Sequence, residues 1–348
     1  MTSIRVSEIN PNPFQTGRQL LTIAMAVCAL GLLALAPQAA RACAACGDTI
    51  STAWQTQGLI TTPGLTLGLA YNYIDQNQQR YGRSAASGAQ IDRLLAAGQE
   101  VETYTRTQTA TASLNYTNDR WGVIAEIPYL YRSHATWGTT APLGSTYLTS
   151  AQGSIGDIRV LGRYAGLSEH RTSGFIVGAK LPTGSTDMTF NDGTPVDRSL
   201  QIGTGSTDII LGGYATGAFS DYGWFVQGTV QHAVATQTLN GLDYRPGDSY
   251  QLNSGIRKAK FGEKFSPMLQ FNVIHRRPDS GSGATPPDVL TGGPTTGGTL
   301  AYLAPGAALR LGGGLSAYGF VQLPVYQNVN SLQLVPRYTL TVGMQQTL

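Results

Sequence analysis

Apolar and polar residues alternate with a period of two in run after run of this chain. In Ser154–Tyr164 (SIGDIRVLGRY), Asp157, Arg159 and Arg163 share one parity and Ile158, Val160 and Tyr164 the other. Period two means an extended strand with different surroundings on its two faces. About twelve such runs follow Gly64, at 64–75, 102–117, 120–133, 153–165, 173–183, 205–218, 222–236, 248–259, 264–276, 299–310, 315–326 and 333–346. Each holds ~10–15 residues, enough for a tilted strand to cross a bilayer. In 120–133 the apolar parity reads Trp121, Val123, Ala125, Ile127, Tyr129 and Tyr131, against Glu126 and Arg132. The last run sets Leu334, Tyr338, Leu340, Val342 and Met344 against Gln333, Arg337, Thr339, Thr341 and Gln345.

The connections alternate in length. Thr117–Arg120, Gly166–Arg171, Phe219–Tyr222, Lys260–Lys264 and Gly312–Gly314 are short, while 76–101, 134–152, 184–204, 237–247 and 277–298 are long and rich in Gly, Ser, Thr, Asn and Pro. Short turns on one side and long loops on the other mark an outer-membrane barrel, with the turns periplasmic and the loops external. A soluble sandwich gives no reason for that regularity. Trp121, Tyr129, Tyr131, Trp137, Tyr222 and Trp224 fall near strand ends, as interfacial girdles require. The expected fold is therefore all-β: a transmembrane antiparallel up-and-down β-barrel of about 12 strands over residues 64–348. Closure satisfies every backbone donor and acceptor, as lipid demands.

Composition supports this. Of 348 residues, 43 are Gly and only 12% are charged, a low charge fraction for a soluble chain. Residues 1–42 read as a cleaved signal peptide: Arg5 and Arg18, then the apolar Leu20–Ala36, then Ala40-Arg41-Ala42. A short anchor helix is the alternative reading of the same run. Cleavage removes three basic residues and one acidic one, so the formal charge falls from +3 to +1. Near-neutrality gives no case for a nucleic-acid partner. The expected partners are outer-membrane lipid, a small-molecule solute and the barrel assembly machinery. The chain ends on Leu348 rather than on the Phe common at barrel ends, a weaker assembly signal.

Residues 43–63 open on Cys43-Ala44-Ala45-Cys46 and are expected to form a periplasmic segment, with a plug built from 47–63 as the alternative. In an exported chain Cys43 and Cys46 are a short disulfide or two inert thiols; a redox or metal site and a lipid anchor on Cys43 are the sharper alternatives. Gly47 stands where covalent haem attachment needs His.

If the apolar parity meets lipid, the other lines the lumen. The residues expected there are Glu126, Arg132, Asp157, Arg159, Arg163, Lys180, Asp208, Arg257, Arg276, Arg310 and Arg337, eight basic and three acidic. A positive, narrow passage favours anions; Arg–Asp pairs bracing a small barrel are the competing use. Catalysis finds little support. His134, His170, His232 and His275 read as surface or interface residues, and no nucleophile-elbow spacing occurs. Gly203–Thr207 (GTGST) lacks the Lys and helix of a phosphate loop. Asp187–Asp197 carries carboxylates without EF-hand spacing. No cofactor is expected.

GSIGDIRVLGRY, GFIVGAKLPTGS (174–185), GTGSTDIILGGY (203–214) and YRPGDSYQLNSGIR (244–257) resemble, in that order, the outer-membrane family named for the MetA pathway of phenol degradation, whose members are often labelled transporters. The resemblance spans roughly residues 64–348. It implies outer-membrane passage of small, aromatic compounds and supplies no contact residues. The function expected is a passive channel or transporter for small aromatic or anionic solutes in the bacterial outer membrane. A closed barrel that displays loops, or that docks a periplasmic complex, is the alternative.

Overall fold

A computed structural model describes residues 63–138, 146–258 and 264–348. The expected signal peptide, Cys43, Cys46 and most of the segment 43–63, with the plug expected there, lie outside the described residues.

Twelve antiparallel strands form one sheet in which every strand pairs with its chain neighbours. They are β1 (Gly64–Tyr81), β2 (Val101–Thr117), β3 (Trp121–Trp137), β4 in two pieces (Tyr147–Ile155 and Ile158–Tyr164), β5 (Ser173–Leu181), β6 (Ser206–Phe219), β7 (Tyr222–Thr236), β8 (Ser249–Lys258), β9 (Phe265–Arg276), β10 (Gly298–Gly312), β11 (Leu315–Val329) and β12 (Leu332–Thr347). β12 pairs back onto β1, from Thr66 opposite Thr347 to Tyr81 opposite Leu332, and closes the barrel. All twelve expected runs are strands. Several extend beyond the expected limits toward the long loops, β1 by six residues and β3 by four. Two local features depart from the pattern. β4 breaks at Gly156–Asp157, and both of its pieces pair with β3. The first long connection holds helix α1 (Gly88–Ala96), which Ser87 and Gln90 start with a reciprocal capping box.

The exterior is apolar all round. Leu69, Leu114, Val123, Ile127, Val177, Leu211, Leu252, Leu269, Leu303, Val321 and Met344 are all exposed, so the sheet shows every side of the barrel an apolar face. Water does not tolerate so large an apolar surface, and a bilayer requires it. Aromatic side chains frame it. At the short-turn end Trp121 packs on Tyr164 at 4.5 Å between ring centroids, and Tyr164 on Phe175 at 5.2 Å. Tyr129 and Tyr131 lie eight and ten residues along β3 from Trp121, about one bilayer crossing away. The rest of β3, Arg132–Trp137, projects past them toward the long loops.

Inside, the barrel is filled. Glycines on the inward face make room for large neighbours: a Cβ on Gly306 would lie 2.3 Å from the Phe320 ring, and one on Gly343 would lie 2.4 Å from that of Tyr318. This small-against-large matching lets a twelve-strand barrel pack a core of its own. Phe320, Tyr318, Met268 and Ala304 form one buried cluster, and Ile274, Leu300, Tyr302, Val329 and Val335 another. The inward parity is therefore not uniformly polar as expected. Ile176, Ile210, Tyr214 and Phe225 also point inward and are buried.

Candidate functional site

The charged residues of the inward face collect on one arc at one level. Glu126 of β3 stands opposite Arg159 of β4, Arg159 opposite Lys180 of β5, and Lys180 opposite Asp208 of β6. The Lys180 ammonium lies 2.8 Å from Asp208 Oδ2 and 3.4 Å from Asp157 Oδ2. It also donates to Ser206 Oγ at 3.1 Å and to Thr204 Oγ1. Asp208 accepts from Ser206 Oγ and from Gln231 Nε2, both at 2.6 Å. One cation is thus held between two carboxylates, and the remaining acceptor positions are taken by hydroxyl and amide donors. A buried ion pair needs such complete coordination. The break in β4 has a role here: it turns Asp157 out of the strand toward this cluster.

The long connection 182–205 folds into the barrel as a plug. Asp157 holds its two ends together, accepting from Gly184 N at 3.0 Å, Thr204 N at 3.0 Å and Thr204 Oγ1 at 2.6 Å. The two ends meet so closely that a Cβ on Gly184 would fall 2.5 Å from Gly203 Cα, so the neck admits only glycine. Arg132, 2% exposed, donates through Nη1 to Leu200 O at 2.7 Å and Gln201 O at 2.8 Å. The plug carries its own small core of Met188, Phe190, Val196 and Leu200 packed with Leu148. At its outer edge Asp197 accepts from Thr285 Oγ1, 3.2 Å away on the 277–297 loop. Glu100, just outside β2, has its carboxyl pushed up to about 7, first by burial and then by the charge of Asp197. Burial likewise raises Asp197.

Beneath the plug lies a cavity of about 130 Å³. Seven of the eleven expected lumen residues line it: Glu126, Arg132, Asp157, Arg159, Lys180, Asp208 and Arg276. Ser199, Gln201 and Ile202 of the plug complete its wall. Arg163, Arg257 and Arg310 sit apart, near the short turns. The Arg163 guanidinium lies 5.7 Å from the Tyr214 ring, and Arg310 is exposed beside the turn at Gly312. Arg337 also lies away from the cavity. It is exposed in the stretch where β12 slips register against β1 between Thr339 and Pro336.

Other residues behave differently from their reading in sequence. His134, expected at a surface, is fully buried with Nδ1 2.8 Å from Thr105 Oγ1, because β3 continues inward past the expected end. His232 faces outward and pairs with Asp248 at 2.6 Å. Asp187, Asp192 and Asp197 do not converge on a cation site; each is engaged with different partners: Ser185 and Gln152, Thr194, and Thr285. The segment Gly203–Thr207, dismissed as a phosphate loop, supplies the Thr204 and Ser206 hydroxyls of the lysine cluster. Its excess of small hydroxyl residues beside Asp208 was the available signal.

Fold and site together define an outer-membrane-type β-barrel with a plugged, charged lumen. The chain superposes on the crystal structure of an outer membrane channel from Pseudomonas putida F1 with TM-score 0.59 and 11% identity, covering 86% of this chain and all of that one. The likeness is one of fold. A toluene transporter from Ralstonia pickettii, TbuX, also matches, with TM-score 0.44 and 11% identity over 88% of this chain and 97% of that one. No protein-family model matches the chain, and no curated protein does.

Proposed function

We propose that the protein is an outer-membrane channel or transporter for small aromatic or anionic solutes, and that Asp157, Arg159, Lys180, Asp208 and Arg276 form its solute-contacting chamber. The observation that carries this reading is a charged cavity inside a lipid-facing barrel, covered by a loop that belongs to no strand. A barrel with only a structural role needs no charges there: apolar packing fills a lumen at lower desolvation cost. The solved barrel of like fold is an outer membrane channel. The strand motifs that resemble the phenol-pathway family favour an aromatic solute, and the apolar inward residues below the cavity suit one. The mechanism is passive. The solute enters past the long loops, displaces the plug from the Arg132 and Asp157 contacts, exchanges hydration for the chamber's charges, and leaves toward the short turns.

The filled lumen favours a second reading, a closed barrel that displays its loops. Single-channel conductance of the folded barrel in a planar bilayer under a salt gradient separates the two. Steady openings with anion preference support the channel; a silent folded barrel supports the closed form. On the channel reading, Arg159→Glu with Arg163→Glu lowers the anion preference severalfold. An unchanged reversal potential in that double variant removes both residues from the filter.

A further inference from the structure

Four buried side-chain oxygens on the inward face of β7–β9 have no hydrogen-bond partner within the protein: Gln227 Oε1, Ser249 Oγ, Asn253 Oδ1 and Asn272 Oδ1. Their residues are only 6%, 2%, 3% and 0% exposed. A buried oxygen left unmet costs about 1–3 kcal/mol, so four in one place require a reason. They are not scattered. Asn253 stands opposite Gln227 on one side and opposite Asn272 on the other, so three amide oxygens form one row across three strands. Asn272 Nδ2 donates to Gln322 Oε1 at 3.2 Å, which commits its amine and leaves its oxygen unmet.

The row connects to the chamber. Ser249 lines the cavity, opposite Gln231 and Arg276, which line it as well. Ser249, Gln251 and Asn253 share the inward face of β8, so a polar stripe runs ~13 Å from the cavity toward the short turns. The stripe ends where Phe225, 4% exposed, lies over Gly255: a Cβ there would be 2.5 Å from the ring. The other polar face of the lumen, Thr107–Thr117 of β2, has no side-chain oxygen so stranded among the described residues.

We infer that the β7–β9 stripe is a binding track for small uncharged hydroxylated solutes, whose O–H groups donate to Gln227, Asn253 and Asn272 as the solute leaves the chamber. The buried unmet atoms of the stripe are oxygens, so a ligand that meets them must supply donors. A cation is disfavoured: β7–β9 carry no inward carboxylate, and Arg276 and Arg257 stand at the two ends of the stripe. Phe225 gives the carbon skeleton an apolar seat and closes the track at its far end.

This inference rests on the channel reading, and the test separates the two. Flux of ethylene glycol and of its dimethyl ether, which accepts but cannot donate, is measured by swelling of proteoliposomes that hold the folded barrel. Two hydrogen bonds of ordinary strength correspond to about a tenfold preference for the diol. Gln227→Leu with Asn253→Leu brings that preference close to one, and the ratio does not depend on how much barrel inserts. Equal flux of both compounds through the wild type, or a preference unchanged in the double variant, overturns the track and leaves the channel standing. A wild type that passes neither compound overturns the channel. The track is then read by NMR titration of the wild-type side-chain amides. Shifts at Gln227, Asn253 and Asn272 with the diol and not the ether support it, and their absence overturns it.

Discussion

Lys180 gives the sharpest test at the scale of one residue. Its ammonium is shared between Asp157 and Asp208, whose side chains are both buried in the same cluster. Removing it leaves two carboxylates facing each other out of water. Lys180→Met therefore destabilises the folded barrel by about 3–5 kcal/mol, read as a lower temperature of unfolding in detergent. Adding Asp208→Asn recovers part of that loss, because one uncompensated charge then disappears. No recovery in the double variant would mean that the lysine acts through packing and not through its charge. Sequence parity put all three residues in the lumen. Their mutual contact was not legible, since Asp157 reaches Lys180 only through the break in β4.

At the scale of an element, the plug is the part whose behaviour depends on solution conditions. Glu100 is raised from 4.5 to about 7 by burial and by Asp197, and Glu102, which the charges of Glu100, Asp197 and Arg132 reach, stands at the same junction. A carboxyl raised on insertion holds its proton more tightly in the inserted state. Its contribution to insertion is complete below pH 4.5 and is lost as pH rises to about 7. Over that window the equilibrium for plug release grows by up to tenfold per pH unit. Hydrogen exchange of residues 186–202, corrected for intrinsic rate, reports it. Glu100→Gln weakens the dependence and leaves the part that Asp197 and Glu102 carry, and a wild-type profile already flat from pH 4.5 to 7 would discard the mechanism. Helix α1 is not legible in the sequence pattern because its nine residues, about two and a half turns, sit in a loop rich in small residues. The Ser87–Gln90 capping box was its one local sign.

At the scale of the whole molecule, lipid and lumen impose opposite demands on the two faces of each strand. Leu211 of β6 is 54% exposed on the apolar exterior, and its neighbour Ile210 is 5% exposed within. Leu211→Arg costs about 2–4 kcal/mol if its position lies at the bilayer midplane, and less toward either interface. The same substitution at the exposed Leu167, in a short turn, is expected to be nearly neutral. The comparison is made by folding efficiency into lipid vesicles. Equal folding of the two variants would place the apolar belt somewhere other than in the membrane.

The sequence by itself determined the strand count, the alternation of short and long connections and the lipid-facing residues, because period two and turn composition are local properties. Of the eleven charges expected in the lumen, seven line the cavity. The sequence did not show the slip beside Arg337, because register is a relation between two strands and not a property of one. It took the second parity as polar throughout, because inward residues such as Phe320 and Ile210 look like any other apolar residue until the opposing wall is known. Only the tertiary structure decided that residues 182–205 turn inward. The contacts that hold them there, from Arg132 to two backbone carbonyls and from Asp157 to the glycine neck, join segments dozens of residues apart. Barrel closure brings those segments together, and no local pattern encodes that meeting.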